Sequence, residues 1–277
     1  MLVNSKKMLA EAKLSKDVIF QFNINNLEWT KYILETMNEL NKPVILGVSH
    51  GAIEYMGGYN VVVALVKSLL EDLNIKIDVC LHLDHGKDYK SCVSAIEAGF
   101  TSVMIDASKF ELEKNIEITK KVVDYGHLKS ITVEGEVGTI GGSEDGITST
   151  SAYAKYEDVI KFVQKTKVDS VAPAIGSVHG LYKGKLDIDI KRLNKISSNL
   201  KIPLVLHGGS GIPDSLLKDC VINGITKINI NTQLQVEWAS SIRNFLKVNL
   251  NAYDPRKIIS SGEDSIKKII KDMVTKF

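Results

Sequence analysis

Eight short apolar segments alternate with eight amphipathic segments along the 277 residues, and this alternation constrains the fold more than any other feature. Apolar, β-branched runs indicate strands at 18–23, 43–48, 77–83, 102–105, 130–136, 168–173, 203–206 and 225–230. Apolar residues at helical spacing predict helices at 27–40, 60–73, 88–98, 111–126, 155–166, 189–198, 213–222 and 232–249. Strands that alternate with helices favour parallel pairing, and eight such units are typical of a (β/α)8 barrel.

The predicted fold class is therefore α/β, a (β/α)8 TIM barrel. We assign residues 1–277 to a single domain, because no linker-like or low-complexity stretch divides them. The tail after residue 250 predicts a turn and one extra C-terminal helix. Glycines and small polar residues break the pattern at 137–154, and a loop of that length in a compact domain is more often functional than not.

Charge and hydropathy exclude several classes of partner. The 35 basic and 33 acidic side chains leave a net charge of +2 and form no basic stripe, so we expect no nucleic-acid partner. No run of about 18 apolar residues and no signal-peptide pattern is present, so we expect no membrane partner. The three cysteines form no CxxC pair, which favours a reducing compartment. We therefore expect a cytoplasmic protein.

Polar residues close or follow the predicted strands, where barrels of this kind carry their chemistry. They are His85, Asp106, Glu134, Glu136, His179 and His207. Three neutral imidazoles around an open position suit catalytic zinc, so we propose His85, His179 and His207 as metal ligands. Cobalt or iron would also suit three histidines. Glu136 is a candidate alternate ligand, and Glu134 with Asp106 are candidates to orient a histidine, unless these acids are ordinary surface carboxylates.

The stretch HLDH places two further polar residues at the end of the third predicted strand. Strand alternation puts His82 and Asp84 on one face. Polar groups buried there cost roughly a few kcal/mol each unless they are paired. The pair therefore belongs either to a site or to a satisfied polar core.

Two segments, one rich in glycine and one at the start of a helix, predict an anion site. HGGSG at 207–211 follows the seventh strand, and NINT at 229–232 ends the eighth strand and opens a helix. Backbone N–H groups at such positions bind phosphate in these barrels, and Ser210, Asn231 and Thr232 add side-chain donors. A metal beside a phosphate site implies a sugar phosphate as the small-molecule partner.

Six motifs in order, HLDHG, SVMIDAS, VEGEVGTIGGSED, APAIGSVHG, LVLHGGSG and KININT, closely resemble one enzyme family. They resemble the class II, zinc-dependent fructose-bisphosphate aldolases, in the branch that includes tagatose-bisphosphate aldolases. The resemblance extends from FNINNLEW at 22–29 to YDPRK at 253–257. It implies aldol cleavage of fructose 1,6-bisphosphate to dihydroxyacetone phosphate and glyceraldehyde 3-phosphate through a zinc-stabilised enediolate.

The resemblance also implies roles for individual residues. His85, His179 and His207 would bind Zn²⁺, Asp84 would exchange a proton with the hydroxyl on carbon four, and Glu144 would be the second acid/base. The positions that would bind substrate and phosphate are Asn23, Ser49, Gly180, Gly208, Gly209, Ser210, Asn229, Asn231 and Thr232. Carbonyls of the HG loops would hold a monovalent cation, K⁺ or Na⁺. The family further suggests a homodimer or homotetramer. In such an assembly Arg256 would reach into a neighbouring subunit and bind the second phosphate of the substrate, the one farther from the phosphate site described above.

Two positions depart from the family pattern. The better-studied branch carries an acid where this chain has Ser143, so the loop role is assigned to Glu144 alone. His50 lies where close relatives often have glutamate, and its effect on substrate choice is open. The role of His82, as a partner of Asp84 or as a packed side chain, is open as well.

Several alternative functions remain. Tagatose 1,6-bisphosphate and 6-phospho-5-dehydro-2-deoxygluconate are alternative substrates within the family. A metal-dependent phosphosugar epimerase would use the same barrel, and a binding protein without turnover is a further alternative. A class I aldolase would need a reactive lysine in the barrel, and Lys227 is the lysine that we place in a predicted core strand.

Overall fold

Eight parallel strands close into a barrel in a computed structural model, which describes residues 1–144, 147–149, 152–180 and 186–277, with the side chains at 143–144 and 147–149 outside that description. The barrel strands are β1 (Ile19–Asn23), β2 (Val44–Val48), β3 (Val79–Gly86), β4 (Ser102–Ile105), β5 (Thr132–Val137), β8 (Ser170–Pro173), β10 (Leu204–Leu206) and β11 (Ile225–Ile230). They pair in chain order, and β11 closes the ring against β1. The predicted (β/α)8 fold is confirmed.

A small second sheet lies in the segments that follow β5 and β8. It contains β6 (Gly141–Glu144), β7 (Ile147–Ser149) and β9 (Val178–His179), in the order β7-β6-β9. The sequence predicted a loop at 137–154, and the structure forms a hairpin within it. The hairpin is short and rich in glycine, so it lacks the β-branched alternation by which strands are recognised.

Twelve helices are present within the described residues. They are α1 (Lys6–Ser15), α2 (Leu27–Glu39), α3 (His50–Met56), α4 (Tyr59–Asp72), α5 (Tyr89–Ala98), α6 (Leu112–Leu128), α7 (Tyr156–Thr166), α8 (Ile190–Ser197), α9 (Asp214–Ile222), α10 (Thr232–Val248), α11 (Pro255–Ser260) and α12 (Glu263–Val274). The eight predicted helices agree with α2 and α4 to α10 within a few residues, and α12 is the predicted tail helix. In the described part of the chain, none of the helices has the length and apolar character needed to cross a membrane.

Strand alternation separates the barrel interior from the surrounding apolar layer. In β3, Leu81 and Leu83 belong to the large apolar core between strands and helices. The alternating residues Cys80, His82 and Asp84 are also buried, on the other face of the strand. The interior therefore receives a column of polar side chains toward the carboxyl ends of the strands.

Helix α1, which was not predicted from the sequence, covers the amino-terminal end of the barrel. Its Met8 and Leu9 pack with Ile19 and Ile45 of the first two strands. Ser5 fixes the start of the helix, because its hydroxyl lies 2.8 Å from that of Thr132 in β5. The apolar positions of α1 are few, and only contact with the barrel floor makes their burial favourable.

Helix α12 packs along α2 at the outside of the barrel. Ile266 and Ile270 are fully buried in the core on its inner face. At the margin of the contact, Lys267 Nζ lies 2.7 Å from Glu35, and Lys271 Nζ lies 2.8 Å from Glu39. The tail thus covers its own barrel in the described chain.

Two leucines in α1 provide a matched test of this covering role. Leu9 is 2% exposed and Leu14 is 86% exposed in the same helix. We expect Leu9→Ala to lower the free energy of unfolding by about 2–4 kcal/mol, because it leaves a cavity against the barrel floor. Leu14→Ala should change it by less than about 0.5 kcal/mol. Urea denaturation measures both, and equal effects would show that α1 does not seal the barrel.

Candidate active site

Three histidines converge at the carboxyl end of the barrel. His85 lies near the end of β3, His179 in β9 and His207 directly after β10. Their ring centroids are 4.7 to 5.6 Å apart. One ligand nitrogen from each lies within 4.8 Å of the others, so the three form a group that could hold a metal ion.

An irregularity in β3 turns His85 toward this centre. The β3–β4 register shifts between Leu83 and Gly86, which inserts one extra residue on the β3 side, and His85 has a φ of 50°. Simple alternation would send Asp84 and His85 to opposite faces. A bulge of this kind re-aims a side chain, and it places two consecutive polar residues at one site.

Carboxylates fix the orientation of two of the three rings. His85 Nδ1 lies 3.1 Å from Asp106 Oδ2, and His207 Nε2 lies 2.9 Å from Glu134 Oε1. The remaining nitrogens, His85 Nε2 and His207 Nδ1, face each other at 3.0 Å. Histidine ligands of metals commonly donate their other N–H to a carboxylate in this way.

The donor set suits a divalent metal such as zinc. Tetrahedral zinc with nitrogens at about 2.0–2.1 Å keeps neighbouring ligand atoms about 3.3 Å apart, close to the observed spacing of 3.0 Å between the nitrogens of His85 and His207. Burial lowers the pKa of His207 and holds that of His179 well below its usual value, and the neighbouring imidazoles add to both shifts. Neutral imidazole is the form that binds metal.

A second group that could hold a metal shares one histidine with the first. His85, Asp106 and Glu136 offer ligand atoms within 4.8 Å of one another. Burial, with the nearby charge of Asp106, raises the pKa of Glu136 to about 8. Glu136 Oε2 has no hydrogen-bond partner among the described residues, a geometry compatible with the predicted role as an alternate ligand.

Asp84 is buried beside the three histidines. Its Oδ2 accepts a hydrogen bond of 2.9 Å from Asn23 Nδ2, and its Oδ1 has no partner in the described chain. Burial would raise the pKa of Asp84, but the neighbouring His85 and His207 outweigh it and hold the pKa below the usual value. The arrangement presents an ionised carboxylate with one oxygen still available.

His82 does not hydrogen-bond to Asp84 in the described structure. Its Nδ1 lies 2.8 Å from Ser102 Oγ, and burial lowers its pKa to about 3. Asn23 takes the place that the sequence left open for a partner of Asp84. His82 is therefore a neutral side chain of the barrel interior.

A cleft beside the histidines gathers most of the predicted phosphate-binding residues. It is lined by Asn23, His179, Gly180, His207, Gly208, Ser210, Asn229, Asn231, Thr232 and Gln235. Gln235 was not among the predicted residues. Its spacing from Thr232 was the available signal, because residues three positions apart on a helix lie on the same face.

Ser210 also binds backbone N–H groups in this cleft. Its hydroxyl oxygen accepts from the backbone N–H groups of Asn231 and Gln233, each at 3.2 Å. Two N–H groups expected to face an anion are therefore bonded to Ser210, whose own hydroxyl proton remains as a donor. Gly209 packs against β11, where a Cβ would lie 2.6 Å from Ile228 Cγ2.

The remaining predicted site residues lie outside the lining of this cleft. Ser49 caps α3, where its hydroxyl accepts from Ala52 N at 3.3 Å. His50 lies next to it, with Nε2 at 3.0 Å from Glu54. Arg256 is exposed on α11 and paired with Asp254. The side chain of Glu144 lies outside the described part of the chain, and its backbone ends β6.

Lys227 lies in β11 below the histidines and is fully buried. Its Nζ donates to Glu134 Oε2 at 2.7 Å. Burial alone would raise the pKa of Glu134, but Lys227 and His207 hold it well below its usual value. A lysine paired in this way is not the free amine that a class I aldolase would need.

The chain is similar to known aldolases in sequence. The sequence model described as "Fructose-bisphosphate aldolase class-II" matches residues 3–277. The fructose-bisphosphate aldolase of Geobacillus stearothermophilus is 47% identical over 277 residues, covering 100% of this chain and 96% of that relative. The fructose-bisphosphate aldolase of Staphylococcus epidermidis is 46% identical, covering 100% of this chain and 97% of that relative.

Its fold is also similar to that of a solved aldolase. The crystal structure of the YdjI aldolase from Escherichia coli K12 matches with a TM-score of 0.86 and 27% sequence identity, covering 100% of this chain and 97% of that one. The sequence similarity and the structural similarity both extend over nearly the whole chain. The chain belongs to the class II fructose-bisphosphate aldolase family, a family of metal-dependent lyases.

Proposed function

We propose that this chain catalyses the reversible cleavage of fructose 1,6-bisphosphate to dihydroxyacetone phosphate and glyceraldehyde 3-phosphate. The observation that carries the proposal is the position of Asp84, a buried carboxylate with one available oxygen, directly beside a group of three histidines. The adjoining cleft supplies donors for a phosphate. Membership of the family, together with relatives named fructose-bisphosphate aldolase, supports the substrate.

His85, His179 and His207 would hold Zn²⁺. A bound zinc ion supplies Lewis-acid chemistry, which polarises a substrate carbonyl and disperses negative charge next to it. Asp106 and Glu134 would orient two of the ligands from outside.

Asp84 would act at the hydroxyl on carbon four. During cleavage its free oxygen removes the hydroxyl proton, the bond between carbons three and four breaks, and carbon four leaves as an aldehyde. The electron pair of that bond remains on carbon three. Asn23 holds the other oxygen of Asp84, so the carboxylate keeps its orientation while it accepts the proton.

Glu144 would complete the reaction by returning a proton to carbon three. The backbone position of Glu144 at the end of β6 supports this role, because β6 pairs with β9, the strand that carries His179. A backbone connection of this kind brings residue 144 to the same end of the barrel as the histidines.

The cleft would bind the phosphate of the dihydroxyacetone half. Asn229, Asn231 and Thr232 supply side-chain donors, while Gly180 and Gly208 leave room for a close approach. We also place a monovalent cation, K⁺ or Na⁺, at carbonyls of the HG loops. Arg256 is the proposed contact to the far phosphate in a neighbouring subunit.

Assembly and compartment follow the same proposal. The carboxyl end of α10 and the residues that follow it expose apolar side chains, including Val248 (81%), Leu250 (85%) and Tyr253 (91%). Exposed apolar residues that cluster at one place support an interface, here a homodimer or homotetramer. Three buried free cysteines support a reducing compartment, the cytoplasm.

The first test of the function is substrate cleavage with metal control. We expect release of triose phosphates from fructose 1,6-bisphosphate, loss of activity after chelation and recovery after addition of zinc. Tagatose 1,6-bisphosphate and 6-phospho-5-dehydro-2-deoxygluconate serve as comparison substrates. Faster cleavage of either would transfer the assignment to that sugar, and cleavage that survives full metal removal would refute the three-histidine site.

Asp84→Ala separates the two proton-transfer steps. We expect it to reduce cleavage by about 10²-fold or more, because the acceptor of the hydroxyl proton is lost. Exchange of solvent deuterium into dihydroxyacetone phosphate should continue at a slower rate, since that step uses Glu144. NMR follows the exchange, and its complete loss would mean that Asp84 has a wider role.

Glu144→Ala tests the second acid/base. We expect turnover to fall by about 10²-fold or more while the zinc content remains that of the parent protein. Glu157→Ala, an exposed position on α7, is the control and should leave both quantities unchanged. Loss of zinc from Glu144→Ala would place that residue among the metal ligands and contradict its assignment.

A further inference from the structure

The two histidine-orienting carboxylates differ in their surroundings. Asp106 is partly exposed and accepts from both the backbone N–H and the hydroxyl of Ser108, at 3.0 and 2.7 Å. Glu134 is 2% exposed and lies deeper in the barrel. A carboxylate buried so far is unfavourable unless it is paired and hydrogen-bonded, and Lys227 supplies that partner.

The hydrogen bonds around Glu134 have a fixed direction. The ammonium group of Lys227 has only hydrogen-bond donors, so Glu134 Oε2 must be the acceptor of the bond between them. Ser170 Oγ lies 3.2 Å from the same oxygen. Oε1 is thereby left for His207 Nε2, at 2.9 Å.

His207 can then carry its proton in one place. With an acceptor at Nε2, the neutral ring keeps its hydrogen there, and Nδ1 has a free lone pair. Asn229 Nδ2, a donor, lies 3.3 Å from Nδ1 and 3.4 Å from Nε2, so the direction of the Glu134 bond, and not this contact, determines the assignment. Nδ1 is also the nitrogen that faces His85.

We propose that Lys227 is a positioning residue, which acts through Glu134 to keep the proton of His207 on Nε2 and so presents Nδ1 to the metal ion. This inference rests on the proposed metal site. It assigns Lys227 a role in ligand geometry and not in contact with substrate.

Glu134→Gln gives the sharpest test, because Lys227 would orient the new amide. The ammonium accepts no hydrogen bond, so the amide oxygen should turn toward Lys227 and the NH₂ group toward His207 Nε2. The ring would then hold its proton on Nδ1. We expect nitrogen-detected NMR of the metal-free protein to show this change of tautomer, and zinc affinity to fall by about 10–100-fold.

Removal of the lysine should reverse the effect. In Glu134→Gln/Lys227→Met the amide is free to rotate, and its oxygen can again accept from His207. We expect the double variant to bind zinc more tightly than Glu134→Gln alone. A buried charge pair can often be replaced by neutral residues of similar volume without loss of the fold. Lys13→Met, which removes a lysine bonded to a carbonyl at Ile202, is the control.

Two results would overturn the proposal. The first is a Glu134→Gln protein whose His207 keeps its proton on Nε2, a measurement that needs neither metal nor a second substitution. The second is a double variant that binds zinc no better than Glu134→Gln, which would limit Lys227 to stabilising the barrel. Failure of the parent protein to bind zinc would instead refute the metal site itself, independently of the tautomer result.

Discussion

Closure of eight parallel strands into a ring is the constraint on which the site depends. Because all strands run in one direction, their carboxyl ends meet at one rim, and residues from distant parts of the chain become neighbours. His85 and His207 are separated by 122 positions, yet their facing nitrogens are 3.0 Å apart. The same closure buries every second side chain inside the ring, where a polar group must find a partner.

The polar side chains of the barrel interior meet that requirement by hydrogen bonding to one another in pairs. Lys227 bonds to Glu134, Glu134 to His207, and Asn23 to Asp84. Removing one member of a buried charge pair leaves the other without compensation, which costs more than the pair itself contributes. The interior polar groups therefore act as a unit, and their hydrogen-bond directions determine which nitrogen or oxygen of each residue is left to meet a metal or substrate.

Most of the fold could be predicted, because the strands and helices of the barrel bury apolar side chains that recur at regular spacing in the sequence. The eight barrel strands agree with the predicted segments within three residues. The elements that were missed have weaker local signals. Helix α1 depends on contact with the barrel floor through residues such as Met8 and Leu9, and the hairpin of β6 and β7 forms in a glycine-containing segment without regular alternation.

The sequence by itself determined the barrel and the candidate site residues, because strand ends that carry His, Asp and Glu side chains are visible as a linear pattern. Only the tertiary structure decided how those residues face one another. Simple alternation would send Asp84 and His85 to opposite faces, and the extra residue in β3 brings both to one site. Asn23, and not His82, bonds to Asp84, and Lys227 bonds to Glu134. These outcomes follow from register and closure, which depend on partners far apart in the chain.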